Sequence, residues 1–91
     1  MLKHLFRPKT VAVIGASRTP GKVGYEILAN LIDGGFEGNI VPVNPSADEI
    51  LGVKCLDNIS SFDGTVDLSI ISLPQKFVKK AIEASLAKGA G

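Results

Sequence analysis

The apolar run Thr10-Val11-Ala12-Val13-Ile14 leads directly into the turn Gly15-Ala16-Ser17-Arg18-Thr19-Pro20-Gly21-Lys22-Val23-Gly24, and a helix-patterned segment follows. No other stretch constrains the fold as strongly. An apolar run without alternation reads as a parallel strand covered on both faces. Joined to a helix by a glycine-rich turn, it is the first half of a βαβ unit, which points to a doubly wound α/β domain.

The rest of the chain continues the alternation. Helix one begins near Lys22, with Val23, Ile27, Leu28, Leu31 and Ile32 on one face. Gly34-Gly35 ends it, and Phe36 is placed to pack back on the last turn. Strand two is Asn39 to Val43, where Pro42 removes a ladder donor and so marks a sheet margin or a weakly paired neighbour. Asn44-Pro45 turns the chain. Residues 46–50 have the length of one helical turn, capped by Ser46. Val53 to Leu56 reads as a short third strand, residues 58–62 as a helical turn, and Asp63-Gly64 as a turn signal. Asp67 to Leu73 is the fourth strand. The last helix runs from about Gln75 to Lys88 and buries Phe77, Val78, Ala81, Ile82, Ser85 and Leu86.

Numbered in chain order, these strands predict an α/β, Rossmann-like parallel sheet of order 3-2-1-4, with right-handed crossovers and flanking helices. In such a chain a fifth strand should follow the last helix, and none does. The expectation is therefore one domain over residues 1–91, an N-terminal piece of a longer chain. The edge of strand four would then be open to pairing or homo-oligomerisation.

Composition removes several classes. A net charge of +1 gives no basis for sequence-independent nucleic-acid binding. No apolar run reaches the ~20 residues of a membrane span, and the basic N-terminus lacks the apolar stretch of a signal peptide. The single cysteine, Cys55, forms no internal disulfide and fits a cytoplasmic location.

The sheet order reverses between strands one and four, and ligands of doubly wound sheets bind outside the carboxyl ends at that point. Three loops meet there: residues 15–24, 44–46 and 72–76. In the first, backbone N–H groups and the positive helix end suit a diphosphate, and Gly15, Gly21 and Gly24 let the backbone come close. Ser17 and Thr19 offer hydroxyls, and Arg18 and Lys22 offer charge.

A dinucleotide site of the NAD type wants an acid at the end of strand two, but that place holds Asn44-Pro45-Ser46. A P-loop is excluded, because Gly15 and Gly21 are separated by five residues and Val23 follows Lys22. Ser72-Leu73-Pro74 is either an apolar ligand wall or a plain strand end whose proline opens the next helix.

Other residues carry blander readings. Phe77 reads as core and Tyr25 as surface or interface. His4 is lone and terminal, and Cys55 is a small hydrophobe. Asp67 is a cap or turn residue, and Lys79-Lys80 and Lys88 form a solvated helix face. No general acid–base pair, metal cluster or triad can be assembled, so the chain reads as a binder without catalytic residues.

The combined pattern resembles a known family. It comprises Leu5-Phe6-Arg7-Pro8-Lys9-Thr10-Val11-Ala12-Val13-Ile14-Gly15-Ala16-Ser17, Pro20-Gly21-Lys22-Val23-Gly24, Gly35-Phe36, Val41-Pro42-Val43-Asn44-Pro45, Glu49-Ile50-Leu51-Gly52-Val53-Lys54 and Val66-Asp67-Leu68. It is similar to the N-terminal CoA-binding domain of NDP-forming acyl-CoA synthetases, ADP-forming acetyl-CoA synthetase above all. The α subunit of succinyl-CoA synthetase is a more distant relative. Small stand-alone CoA-binding proteins and part of some bacterial protein acetyltransferases are similar too.

The resemblance implies a Rossmann-like domain that binds coenzyme A, with the diphosphate at the glycine turn and the pantetheine across the carboxyl edge of the sheet. It carries over to Ser17, Gly21, Lys22 and Gly24, to Asn44 and Pro45, and to Leu73 and Pro74. Many relatives have Lys after Asn-Pro. Here it is Ser46, so that charged contact is either lost or supplied by Arg18 or Lys54.

The family's ligases interconvert acyl-CoA, ADP and phosphate with acid, ATP and CoA, through a phosphorylated histidine in a later domain. His4 does not match that motif. The implied partners are CoA or acyl-CoA and the remaining domains or β subunit of a synthetase. The competing readings are a stand-alone CoA-binding protein and an NAD(P)-binding regulatory module.

Overall fold

The computed structural model describes residues 9–89. In chain order the elements are β1 (Thr10–Ile14), α1 (Val23–Asp33), β2 (Asn39–Val43), β3 (Glu49–Ile50), β4 (Val53–Lys54), a 3₁₀ turn (Ile59–Ser61), β5 (Leu68–Ile71) and α2 (Gln75–Ala87). The reading for His4 and the residues Leu5 to Pro8 that open the family resemblance lie outside the described residues. No helix among the described residues is long and apolar enough to cross a membrane.

A parallel sheet of order β2-β1-β5 forms the centre. All five residues of β1 are buried, because this strand has a neighbour on each side and a packed layer on each face. Ala12 and Ile14 face the α2 side with Val41, Val43, Ile59, Val66 and Ala81. Val13 faces the α1 side with Leu28, Ala47, Ile50 and Cys55. Asp67 ties the starts of β1 and β5 together: its Oδ2 accepts from the backbone N–H groups of Lys9 and Thr10, each at 2.9 Å.

Pro42 costs no bond to β1. Its carbonyl accepts from Leu56 N at 2.9 Å, on the outer edge of β2. Within a strand residue the N–H and C=O directions coincide, so the missing donor also faces that outer edge.

The outer edge differs from the expected 3-2-1-4 order. The expected third strand, residues 53–56, contributes only a parallel bridge between Leu56 and Val43. Val53–Lys54 pairs antiparallel with Glu49–Ile50 instead. Leu51 and Gly52, at φ 52° and 79°, close this hairpin with the left-handed pair that a tight two-residue turn requires. The expected helical turn over 46–50 does not form. Asn44 Oδ1 accepts from Ser46 N at 2.7 Å, so the asparagine rather than Ser46 organises the corner.

α1 ends as its glycines predict. Gly35 N bonds Ile32 O at 3.1 Å, Phe36 N bonds Leu31 O at 3.1 Å, and Gly35 takes φ 75°. This is a Schellman end with Phe36 beside Leu31. Val23, placed by its spacing on the apolar face, is instead 65 % exposed. On α2, Ala81 and Ser85 are buried while Ile82 and Leu86 face outward. Lys88 is not solvated as expected: its Nζ donates to Phe62 O at 2.7 Å.

Candidate functional site

The carboxyl ends of β1, β2 and β5 open into one cavity of about 550 Å³. The three loops there are joined by backbone and side-chain bonds. Gly15 N donates to Val43 O at 3.0 Å, and Ser72 N donates to Ile14 O at 2.8 Å. Asn44 Nδ2 donates to Ala16 O at 2.8 Å, while its Oδ1 holds Ser46 N. Both ends of the Asn44 amide therefore serve the corner between strand two and the glycine turn.

The glycines divide by role. Gly15 has φ 92°, and a Cβ there would overlap the carbonyl oxygen of Ser72. A Cβ on Gly24 would overlap the carbonyl oxygen of Gly15. Gly24 therefore lets the first turn of α1 sit directly on the end of β1, and Gly15 lets the end of β5 pack against the turn that follows β1. Gly21, also at φ 92°, stands in open space, and its N–H reaches Glu26 Oε2 at 3.3 Å. Ser17 Oγ accepts from Thr19 N at 3.0 Å and shapes the turn.

Neither long helix has a side-chain cap at its start: Pro74, before α2, lines the cavity, and the start of α1, after Lys22, lies behind the turn with Gly24 against the carbonyl of Gly15. Their free N–H groups and positive ends converge at the ends of the adjacent strands β1 and β5, an arrangement that favours an anion.

Of the residues singled out from the sequence, Gly15, Ser17, Asn44, Pro45, Leu73 and Pro74 line the cavity. Arg18, Gly21, Lys22 and Gly24 lie outside its lining. Arg18 and Lys22 are exposed on the turn, and Gly24 is buried in helix packing.

The lining also includes residues that sequence reasoning missed: Asp57, Asn58, Ile59, Phe77, Lys80, Ala81 and Ala84. Phe77, read as core, is 48 % exposed at the mouth, with Lys76 Nζ 5.1 Å from its ring centre. The available signal was spacing. Phe77, Lys80, Ala81 and Ala84 share one helix face, and the helix starts at the switch-point strand.

Asp57 follows the Leu56–Val43 bridge, which brings a carboxylate to the rim from the neighbouring segment. Its Oδ1 accepts from Ser61 Oγ at 3.2 Å, and Asn58 Oδ1 accepts from Ser60 N at 2.9 Å.

Cys55 lies under the corner, its Sγ 3.7 Å from Asn44 O. Burial pushes its thiol up, the Asn44 bond opposes this, and Asp48 adds to it. A protonated buried thiol is a poor nucleophile. No metal-holding group of His, Cys, Asp and Glu occurs among the described residues. The cavity is thus equipped to hold an anion and an apolar body.

A family model described as CoA binding domain matches residues 9–91. The chain belongs to the CoA binding domain family. ADP-forming acetate–CoA ligase II of Archaeoglobus fulgidus is 50% identical over 88 residues, 97% of this chain and 13% of that protein. The α subunit of ADP-forming acetate–CoA ligase I of Pyrococcus furiosus is 45% identical over 92 residues, 97% of this chain and 20% of the relative. The chain therefore spans only about an eighth to a fifth of the length of these relatives.

Among solved structures, the apo form of the Ca. Korarchaeum cryptofilum dinucleotide-forming acetyl-coenzyme A synthetase 1 superposes with a TM-score of 0.91 at 41% identity. That match covers 99% of this chain and 20% of the synthetase. A conserved hypothetical protein of Pyrococcus furiosus gives 0.78 at 32% identity, over 89% of this chain and 68% of that one. The expected Rossmann-like α/β class agrees with these neighbours.

Proposed function

We propose that this chain is the CoA-binding part of an NDP-forming acid–CoA ligase, which interconverts acyl-CoA, ADP and phosphate with acid, ATP and CoA. The observation that carries this reading is the cavity at the switch point, lined by an apolar wall and the uncapped start of α2, with the uncapped start of α1 behind the Gly15 turn. The CoA diphosphate would lie against the N–H groups of Ala16 and Ser17 and the start of α1, the Gly15 N–H being held by Val43 O. Arg18 and Lys22, exposed beside that turn, add a screened attraction. Leu73 and Pro74 support the uncharged part of the ligand. In this reading the chain binds and orients CoA, and the acyl and phosphoryl chemistry belongs to further domains or a partner subunit. Calorimetric titration with CoA tests it; absence of binding to the folded chain would refute it.

A second reading has one observation in its favour. Asp57 brings to the rim the carboxylate that an NAD(P) site needs for a ribose hydroxyl. Asn44, where such sites place the acid, instead spends its amide on Ala16 and Ser46. CoA is therefore favoured, and a thermal-shift comparison of CoA with NADH separates the two.

A further inference from the structure

The cavity wall changes character between its two sides. Gly15, Ala16 and Ser17 present backbone at the strand ends, whereas α2 presents Phe77, Lys80, Ala81 and Ala84. Among the described residues, Lys80 is the sole Lys or Arg in the lining. It stands six residues beyond Pro74, so its backbone is about 9 Å along the helix from the uncapped start. The cavity therefore offers an anion two separate places: the N–H groups of the rim and the Lys80 ammonium.

We propose that Lys80 reads the 3′-phosphomonoester of CoA, and that the α2 side of the cavity holds the adenosine half. This inference rests on the CoA reading above. CoA carries two anionic groups separated by a ribose, the diphosphate and the monoester, and its pantetheine arm carries none. With the diphosphate at the helix starts, the monoester is the one CoA anion left to meet a cation on the α2 wall, which places the adenosine half there.

The chemistry of the wall agrees. A phosphomonoester is a compact dianion near neutral pH, and a lysine ammonium on a flexible stem meets it as a point charge. Phe77, Ala81, Ala84 and Ile59 offer the apolar contact that a purine ring needs. Asp57, turned by its bond from Ser61, leaves acceptor oxygen for the adenine amino group or the ribose 2′-hydroxyl.

Dephospho-CoA differs from CoA by the monoester alone and supplies the test. Calorimetry should show the wild-type chain binding CoA about tenfold more tightly than dephospho-CoA. Lys80→Gln should close that gap by weakening CoA alone, and Lys80→Arg should restore part of it. Equal weakening of both ligands by Lys80→Gln, or an unchanged CoA affinity, would overturn the assignment. So would a wild-type chain that does not distinguish the two ligands. Failure of the wild type to bind either ligand would instead overturn the CoA reading itself, and this inference with it.

Discussion

Asn44 Nδ2 donates to the carbonyl of Ala16 at 2.8 Å, joining the end of strand two to the turn that follows strand one. An aspartate there has no donor and would set a carboxylate against that carbonyl. Asn44→Asp should therefore lower stability by about 1–3 kcal/mol, the usual cost of a half-buried polar group left without its partner. It should also weaken CoA binding without creating affinity for NADH. Denaturant melts and calorimetry check both; a stable variant that gains NADH binding would show that Asn44 governs nucleotide choice and not loop position.

The glycines of the turn should respond unequally to the same change. Gly15→Ala places a Cβ onto the carbonyl of Ser72 at a positive φ, so the strand end or the loop must move. Its cost should exceed 3 kcal/mol, the scale of backbone strain combined with overpacking. Gly21→Ala meets no atoms and carries only the left-handed penalty, about 1–2 kcal/mol. Thermal melts of the two variants give the ordering directly.

Lys22 is exposed beside the uncapped start of α1. Lys22→Glu should weaken CoA binding by about one to a few kcal/mol, combining lost attraction with new repulsion. Because the residue is solvated, the effect should shrink as salt rises. Unchanged affinity at low salt would move the diphosphate away from this turn.

Cys55 predicts a pH effect. Burial favours the neutral thiol in the folded chain, so the folded form titrates above the unfolded one. Its contribution is fully present below the ordinary thiol range and is lost as pH rises through and beyond it, from about pH 8.5 upward. Cys55→Ala should flatten the alkaline decline in stability. Alkylation of the wild type should be slow under native conditions and fast in denaturant.

The central strands, both long helices and the glycine-rich corner were legible because their signals are local. The continuous burial of β1 follows from its unbroken apolar run. The end of α1 follows from Gly34-Gly35-Phe36. The outer edge was not legible. Whether Val53-Lys54 pairs with strand two or folds back on Glu49-Ile50 depends on Leu51 accepting a left-handed conformation, which its side chain does not advertise.

The cavity was half legible for a related reason. Strand-end motifs locate the rim, whereas Asp57 and Lys80 reach it only through the bridge at Leu56 and the direction of α2. Lysines at positions 79 and 80 look alike in sequence, and only the helix phase separates the one that lines the cavity.

Amide chemical-shift mapping during a CoA titration tests the site most directly. The largest shifts should fall on the backbone N–H groups of Gly15, Ala16, Ser17 and the first turn of α1, with a second set on α2 around Phe77 and Lys80. Shifts confined to the groove at the opposite end of the sheet, lined by Leu31, Phe36, Leu68 and Ile70, would contradict the site. So would the absence of shifts at saturating CoA.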